Sequence, residues 1–181
     1  EQELETKGKF SEAEVRFVLV KILKVLQFVH ENHSIHRDIK PANIFIREDH
    51  TPVLLDFGSA RQSLGGKTHA LTSLVTFGYA PYEQFSEGKG KQGPWTDIYG
   101  MGACIYVGIT GKKPVDALKR VSGIIDDQGD PYEPLSVLAK GRFSENFLVC
   151  KGSNIFMNFE TIFALVSHMY NQFILFSELF K

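Results

Sequence analysis

The strongest constraint on this chain is a polar stretch set between two short apolar runs. His36-Arg37-Asp38-Ile39-Lys40-Pro41-Ala42-Asn43 is followed by Ile44-Phe45-Ile46, a polar turn, Val53-Leu54-Leu55, and then Asp56-Phe57-Gly58. Runs of three apolar residues separated by turn formers predict two short strands joined by a turn. A hairpin there returns the chain on itself, so Asp56 is expected beside the loop that carries Asp38 and Asn43.

Ahead of this unit, Ser11-Glu12-Ala13-Glu14 fits a capping box, with the Ser11 side chain accepting from the third backbone N–H and Glu14 reaching back. Val15, Val18, Leu19, Ile22, Leu26 and Val29 then recur on one helical face, while Glu12, Arg16, Lys21, Lys24 and Glu31 lie mostly elsewhere. The helix is expected to be buried along that stripe and to end at Asn32-His33-Ser34, just before the polar loop. His30, His33 and His36 invite a reading as metal ligands. It is set aside because nearby side chains supply no convincing set of further ligands for zinc. His36 is expected as a hydrogen-bonded core histidine.

The residue types in the loop suit phosphoryl transfer from a nucleotide. Asp38 is placed as a general base or a holder of the attacking hydroxyl, and Lys40 as an ammonium that offsets charge on the moving phosphoryl group. Asn43 and Asp56 offer hard oxygen ligands for Mg²⁺. His-Arg-Asp alone arises easily by chance in an exposed loop of mixed charge; the succession of strands and of Asp-Phe-Gly around it gives it weight.

With those residues in view, the chain resembles a Ser/Thr protein kinase, in particular the bacterial eukaryotic-like kinases. The resemblance rests on His36 to Asn43, Asp56-Phe57-Gly58, Gly78-Tyr79-Ala80-Pro81-Tyr82-Glu83-Gln84, Gly93 to Gly100 and Thr110-Gly111-Lys112-Lys113-Pro114, in that order. It implies an α+β fold: the kinase large lobe, mainly helical, with short β-hairpins around the catalytic loop. It also implies Asp38 and Lys40 as catalytic residues, Asn43 and Asp56 as metal ligands, and Lys40, Asn43 and Asp56 as ATP-binding residues. His36, Phe57, Gly58, Glu83 and Asp97 enter as structural supports. ATP and Mg²⁺ are the implied cofactors and a protein with Ser or Thr hydroxyls the implied partner.

Arg37 has two readings: support through a carboxylate, or a bidentate receiver for a phosphate on the activation segment. Thr68, Thr72, Ser73 and Thr76 are candidate acceptors, with Thr72, Ser73 and Thr76 retained as regulatory candidates. Thr76 also matches the family threonine that contacts Asp38 and Lys40. Phe77 stands where the family pattern has proline. Thr96 is expected to cap a helix from Asp97 to about Ile109 that is apolar nearly all round and therefore buried. Asp97 at its head should accept backbone N–H groups, since an unpartnered buried carboxylate is costly. The stretch from Lys112 to Asp130 reads as a loop, Pro134 to Lys140 as a helix stopped by Gly141, and Phe143 to Leu148 as the start of another with Ser144 as cap.

Composition narrows the classes. A chain of 181 residues with 43% hydrophobic content can bury a substantial core, and a net charge of -1 gives no sign of a nucleic-acid surface or polybasic membrane anchor. Cys104 and Cys150 form no Cys-x-x-Cys pair, which favours reduced, cytoplasmic thiols; Cys104 reads as a small core residue. The expected organisation is a polar leader at 1–9 without a signal sequence, a partial kinase domain at 10–148 and a divergent aromatic-rich tail at 149–181. No glycine-rich loop with a following strand lysine precedes Phe10, so the small N-terminal lobe is expected to be absent and the isolated chain to be weak or inactive. The tail reads as a weak membrane span, an amphipathic helix, or a segment foreign to the domain; a membrane partner is not expected. A non-catalytic, pseudokinase-like interaction module is the alternative function. A small-molecule phosphotransferase is disfavoured by Lys40, Asp56-Phe57-Gly58 and the long activation segment.

Overall fold

In a computed structural model of the chain, residues 9–57, 61–62, 75–85 and 92–148 are described, residues 61, 62, 145 and 146 by their backbone alone. Helix α1 (Glu12–Glu31) opens with the expected capping box: Glu14 N–H donates to Ser11 Oγ at 3.4 Å, and Ser11 N–H donates to Glu14 Oε2 at 2.8 Å. Two orphan amides at the helix start are thereby satisfied. Its buried face is Val15, Leu19, Ile22, Leu23, Leu26 and Val29. Leu23 joins the expected set because it packs into the core with its neighbour Ile22, whereas Val18 is only partly buried against it.

The partner of α1 is α2 (Pro94–Thr110), buried on almost every side through Ile98, Met101, Ala103, Cys104, Ile105 and Ile109. The expectation for its start needs correction. The helix begins with Pro94 at the first position, where a missing N–H costs nothing, and Gly93 is the N-cap. Thr96 is the third helical residue instead, and its Oγ1 accepts from Gly93 N–H at 3.2 Å. At the other end Gly111, in the left-handed region at φ 70°, donates to Val107 O at 2.7 Å and stops the helix. Cys104 is buried, and burial pushes its thiol well above its ordinary value.

Two small antiparallel pairs lie against this helical core. Strand β1 (Ser34–Ile35) pairs with β4 (Arg61–Gln62), and β2 (Ile44–Ile46) pairs with β3 (Pro52–Leu54) in the register Ile44 with Leu54, Phe45 with Val53 and Ile46 with Pro52. The hairpin is as expected, moved by one residue at its second strand. Its turn closes through Arg47 N–H to Thr51 O at 3.0 Å, with His50 at φ 63°.

Between Lys112 and Asp130 the structure overturns the loop expectation: helix α3 (Ala117–Ile125) is capped by Asp116, whose side chain accepts from Lys119 N–H at 3.0 Å. Ala117, Leu118, Val121, Ile124 and Ile125 recur at helical spacing along it, yet only Ala117 is buried, and Ile124 and Ile125 face solvent. Arg120 holds it to the following turn through Asp130, Nε to Oδ1 at 3.0 Å. The expected later helices are short: α4 (Leu135–Leu138), with Gly141 beyond it at φ 77°, and α5 (Glu145–Leu148), where Ser144 Oγ accepts from Phe147 N–H at 3.3 Å. Ser144 also fastens this end of the chain to the start of α1, its N–H and hydroxyl both donating to the Glu12 carboxylate.

Candidate active site

The loop after β1 is shaped by one buried carboxylate. Asp97, with no exposed surface, accepts from His36 N–H at 2.9 Å through Oδ2 and from Arg37 N–H at 2.7 Å through Oδ1. These are the backbone donors expected for it. Arg37 sits at φ 71°, a left-handed conformation that costs a non-glycine residue about 1–2 kcal/mol. Its peptide groups are clamped on both sides: Asp97 takes its N–H, and Gln84 Nε2 donates to its carbonyl at 2.8 Å. The reversal at Arg37 turns Asp38 toward the residues that follow.

Those residues converge on the Asp38 carboxylate. Lys40 Nζ lies 2.7 Å from Oδ2, Asn43 Nδ2 donates to Oδ2 at 3.0 Å and to the Asp38 carbonyl at 2.7 Å, and Thr76 Oγ1 donates to Oδ1 at 3.2 Å. Lys40 Nζ also donates to Thr76 Oγ1 at 3.3 Å. The turn Pro41–Asn43 makes this possible, because proline at its first position fixes the backbone without losing a needed donor. Thr76 thus makes the contacts with Asp38 and Lys40 expected of it.

His36 is a core histidine with no exposed surface, as expected. Asp38 N–H lies 3.3 Å from its Nδ1, so Nδ1 is the acceptor and Nε2 carries the hydrogen, donating to Leu55 O at 3.0 Å. Leu55 N–H in turn donates to Asn43 O at 2.8 Å. The end of the hairpin is therefore stitched to both sides of the loop, and Asp56, the next residue, emerges next to it at φ 60° with an exposed side chain. Aspartate adopts that conformation more readily than most residues. Phe57 packs edge-on to the His36 ring, centroids 4.8 Å apart.

Glu83 is partly buried and accepts from Thr96 Oγ1 at 3.1 Å. Arg142, the last arginine of the chain, donates to Ile109 O at 3.1 Å. Gly58, Thr68, Thr72, Ser73, Cys150 and the whole stretch 149–181 lie outside the described residues. Among the described residues there is no cluster of three or more His, Cys, Asp or Glu side chains fit to hold a metal. A site built from Asn43 and Asp56 is of another kind: with Nδ2 of Asn43 turned to Asp38, its carbonyl oxygen is the remaining ligand atom. Magnesium commonly takes one or two protein oxygens and completes its shell with water and phosphate, so these residues fit it. No helix among the described residues is long and apolar enough to cross a membrane.

Two groups in this arrangement escape a reading of the sequence. Gln84 holds the Arg37 carbonyl, and His30 Nε2 lies 2.7 Å from Asp97 Oδ2. Neither has a local signal, since the partners are far apart along the chain.

Comparison with known proteins adds to this geometry. The family model described as "Protein kinase domain" matches residues 1–132. Serine/threonine-protein kinase F of Synechocystis sp. is 41% identical over 120 residues, covering 64% of this chain and 24% of that protein. Serine/threonine-protein kinase PknA of Nostoc sp. is 38% identical over 115 residues, 61% of this chain and 20% of that protein. Probable serine/threonine-protein kinase PknB of Corynebacterium glutamicum is 35% identical over 135 residues, 73% of this chain and 21% of that protein. The matched stretch spans a quarter or less of the length of these relatives.

Proposed function

The chain belongs to the protein kinase domain family, and from that membership we propose that it carries the phosphotransfer half of a Ser/Thr kinase, moving the γ-phosphoryl group of ATP to a protein hydroxyl. The observation that carries this reading is the convergence of Lys40, Asn43 and Thr76 on the Asp38 carboxylate. In this reading residues 10–148 belong to the large lobe of the kinase domain.

Asp38 orients the acceptor hydroxyl and takes its proton as the oxygen bonds to the γ-phosphorus and the bond to the departing ADP oxygen breaks. Thr76 and Asn43 hold the two Asp38 oxygens in place, so little is reorganised at the moment of transfer. Lys40, already at the same carboxylate, is near enough to offset charge on the transferring group. Asn43 and Asp56 would hold Mg²⁺, which supplies charge compensation to the phosphate oxygens. Arg37, Thr72 and Ser73 remain the proposed elements of regulation by phosphorylation.

The test is transfer of radiolabel from ATP, with Mg²⁺, to a generic basic protein. Transfer that is lost in Asp38→Asn, and magnesium-dependent ATP binding that is lost in Asp56→Ala, is the expected pattern. Label transferred equally by the parent chain and Asp38→Asn would remove the catalytic assignment and leave the non-catalytic interaction module.

A further inference from the structure

Between α1, α2 and the β2–β3 hairpin lies an apolar trough that stands open among the described residues. Phe10, Val18, Ile44, Ile46, Met101 and Cys104 line its inner part. Toward solvent it widens over Phe17, which is 43% exposed, and reaches His50 in the hairpin turn. The inner part encloses about 70 Å³ and the outer part about 360 Å³. A cavity of about 150 Å³ accepts a benzene ring, so the outer part has room for about two aromatic side chains. Apolar surface gathered in this way marks a place where another segment or molecule is buried.

We propose that the occupant of this trough is the chain's own aromatic tail, with the run from Ile155 to Phe163 laid into it. The last described residue, Leu148, belongs to α5, and that end of the chain is fastened to the start of α1: the Ser144 hydroxyl donates to the Glu12 carboxylate, and the Arg16 guanidinium lies 4.4 Å from the centroid of the Phe147 ring. Ala13 and Phe17, one residue further along in each case, line the outer trough from the neighbouring face of the same turns. A helix with its side chains is about 10 Å across, and the six residues Val149 to Asn154 extend to about 20 Å, so the tail can cross α1 with chain to spare. Lys151-Gly152-Ser153-Asn154 suit such a solvated crossing. Beyond them Ile155, Phe156, Phe159, Ile162 and Phe163 recur at the spacing of one helical face, an apolar stripe that needs a surface to bury it. Residues 1–8, at the other end, match the trough poorly, since Leu4 is their one large apolar side chain and it stands among Glu1, Glu3 and Glu5, whose carboxylates would be costly to desolvate. The proposal is independent of the phosphotransfer reading above.

The experiment uses the full chain, labelled at the methyl groups of Leu, Val and Ile and at the rings of Phe, in nuclear Overhauser spectroscopy. Contacts are expected from the Phe156 and Phe159 rings to the methyl groups of Val18 and Ile46, at intensities independent of protein concentration. A second readout is the rate at which a maleimide modifies Cys104, which lines the trough, in a Cys150→Ser background. Removing one buried phenyl ring from the cover in Phe159→Ser should raise that rate about tenfold, Phe159→Leu should restore most of the protection, and Phe176→Ser, outside the run, should leave it at the parent value. Contacts to the trough from Leu4, contacts seen only between differently labelled copies in a mixed sample, or no contacts at all overturn the proposal. So does a Cys104 rate that is equal in the parent and in Phe159→Ser. Should Phe159→Ser fail to fold, the contacts in the parent chain decide alone.

Discussion

Gly100 offers a direct test of how closely the catalytic loop is seated on α2. A methyl group there would lie 2.8 Å from both Cβ and the carbonyl oxygen of Ile39, the residue between Asp38 and the Lys40 that pairs with it. Two effects oppose each other in Gly100→Ala. Helix propensity favours alanine over glycine by about 1 kcal/mol in a helix interior. Against it stands overpacking, which costs about 1–3 kcal/mol and falls toward the upper end here because the obstructing atom is backbone. The net expectation is a loss of about 1–2 kcal/mol, read as a lower urea midpoint at unchanged slope or as a Tm lower by about 2–4 °C per kcal/mol. Gly108→Ala is the control within the same helix. Its methyl would meet the Phe10 ring edge at 3.2 Å, a side chain able to yield, so much of the propensity gain should survive and the variant should be between unchanged and about 1 kcal/mol more stable than the parent. If Gly100→Ala proved as stable as Gly108→Ala, or more stable than the parent, the close seating of Ile39 on α2 would be refuted. Activity supplies a second reading, since displacement of Ile39 moves Asp38 and Lys40 together.

Further outcomes are expected elsewhere. Thr76→Val removes the donor to Asp38 Oδ1 and should lower kcat about 10- to 100-fold, measured by peptide phosphorylation, while the urea midpoint stays near that of the parent. Ser11→Ala deletes the α1 cap and should cost about 1 kcal/mol in urea unfolding; an unchanged midpoint would show that the cap is dispensable. Leu19→Ala, at a side chain with no exposed surface in the α1 stripe, should cost about 2–5 kcal/mol by the same assay. Burial by itself would raise the Asp130 carboxyl, but hydrogen bonds from Arg120 and Tyr132 N–H outweigh it and hold its pKa below the ordinary 3.8. A depressed folded value means stability that is present above pH 3.8 and lost as pH falls through the folded pKa. The stability gap between the parent and Arg120→Met should therefore narrow below pH 3.8, and a gap constant from pH 6 to pH 3 would contradict the pairing.

Local chemistry made much of this structure legible. The capping box at Ser11 and Glu14 lies within four residues, the α1 stripe within five turns, and the β2–β3 hairpin between two adjacent apolar runs. The assignment of Thr96 failed by three residues: a cap hydroxyl accepts from an amide inside the first turn, whereas Thr96, at the third helical position, reaches back to the N–H of the cap residue Gly93. Helix α3 was missed for a different reason: Ala117, Leu118, Val121, Ile124 and Ile125 do recur at helical spacing, but the turn formers in and around them, Pro114, Asp116, Gly123 and Gly129, were given more weight. The cap at Asp116 was a second signal beside that stripe, and Gly123 near the end weakened both.

The sequence alone determined that Lys40 and Asn43 meet at Asp38, because both reach it within one turn of backbone, whereas Thr76, 38 residues away, arrives there only through the fold. It also determined that α1 and α2 would be buried, since side chains apolar along a face or all round have no other stable environment. Tertiary structure alone decided who holds that loop in place. His30 and Asp97 are 67 residues apart, and Ser144 and Glu12 are 132 apart. Nothing in the local spacing of polar side chains selects such partners; they are chosen when apolar faces pack and leave those groups away from water with only each other to bond.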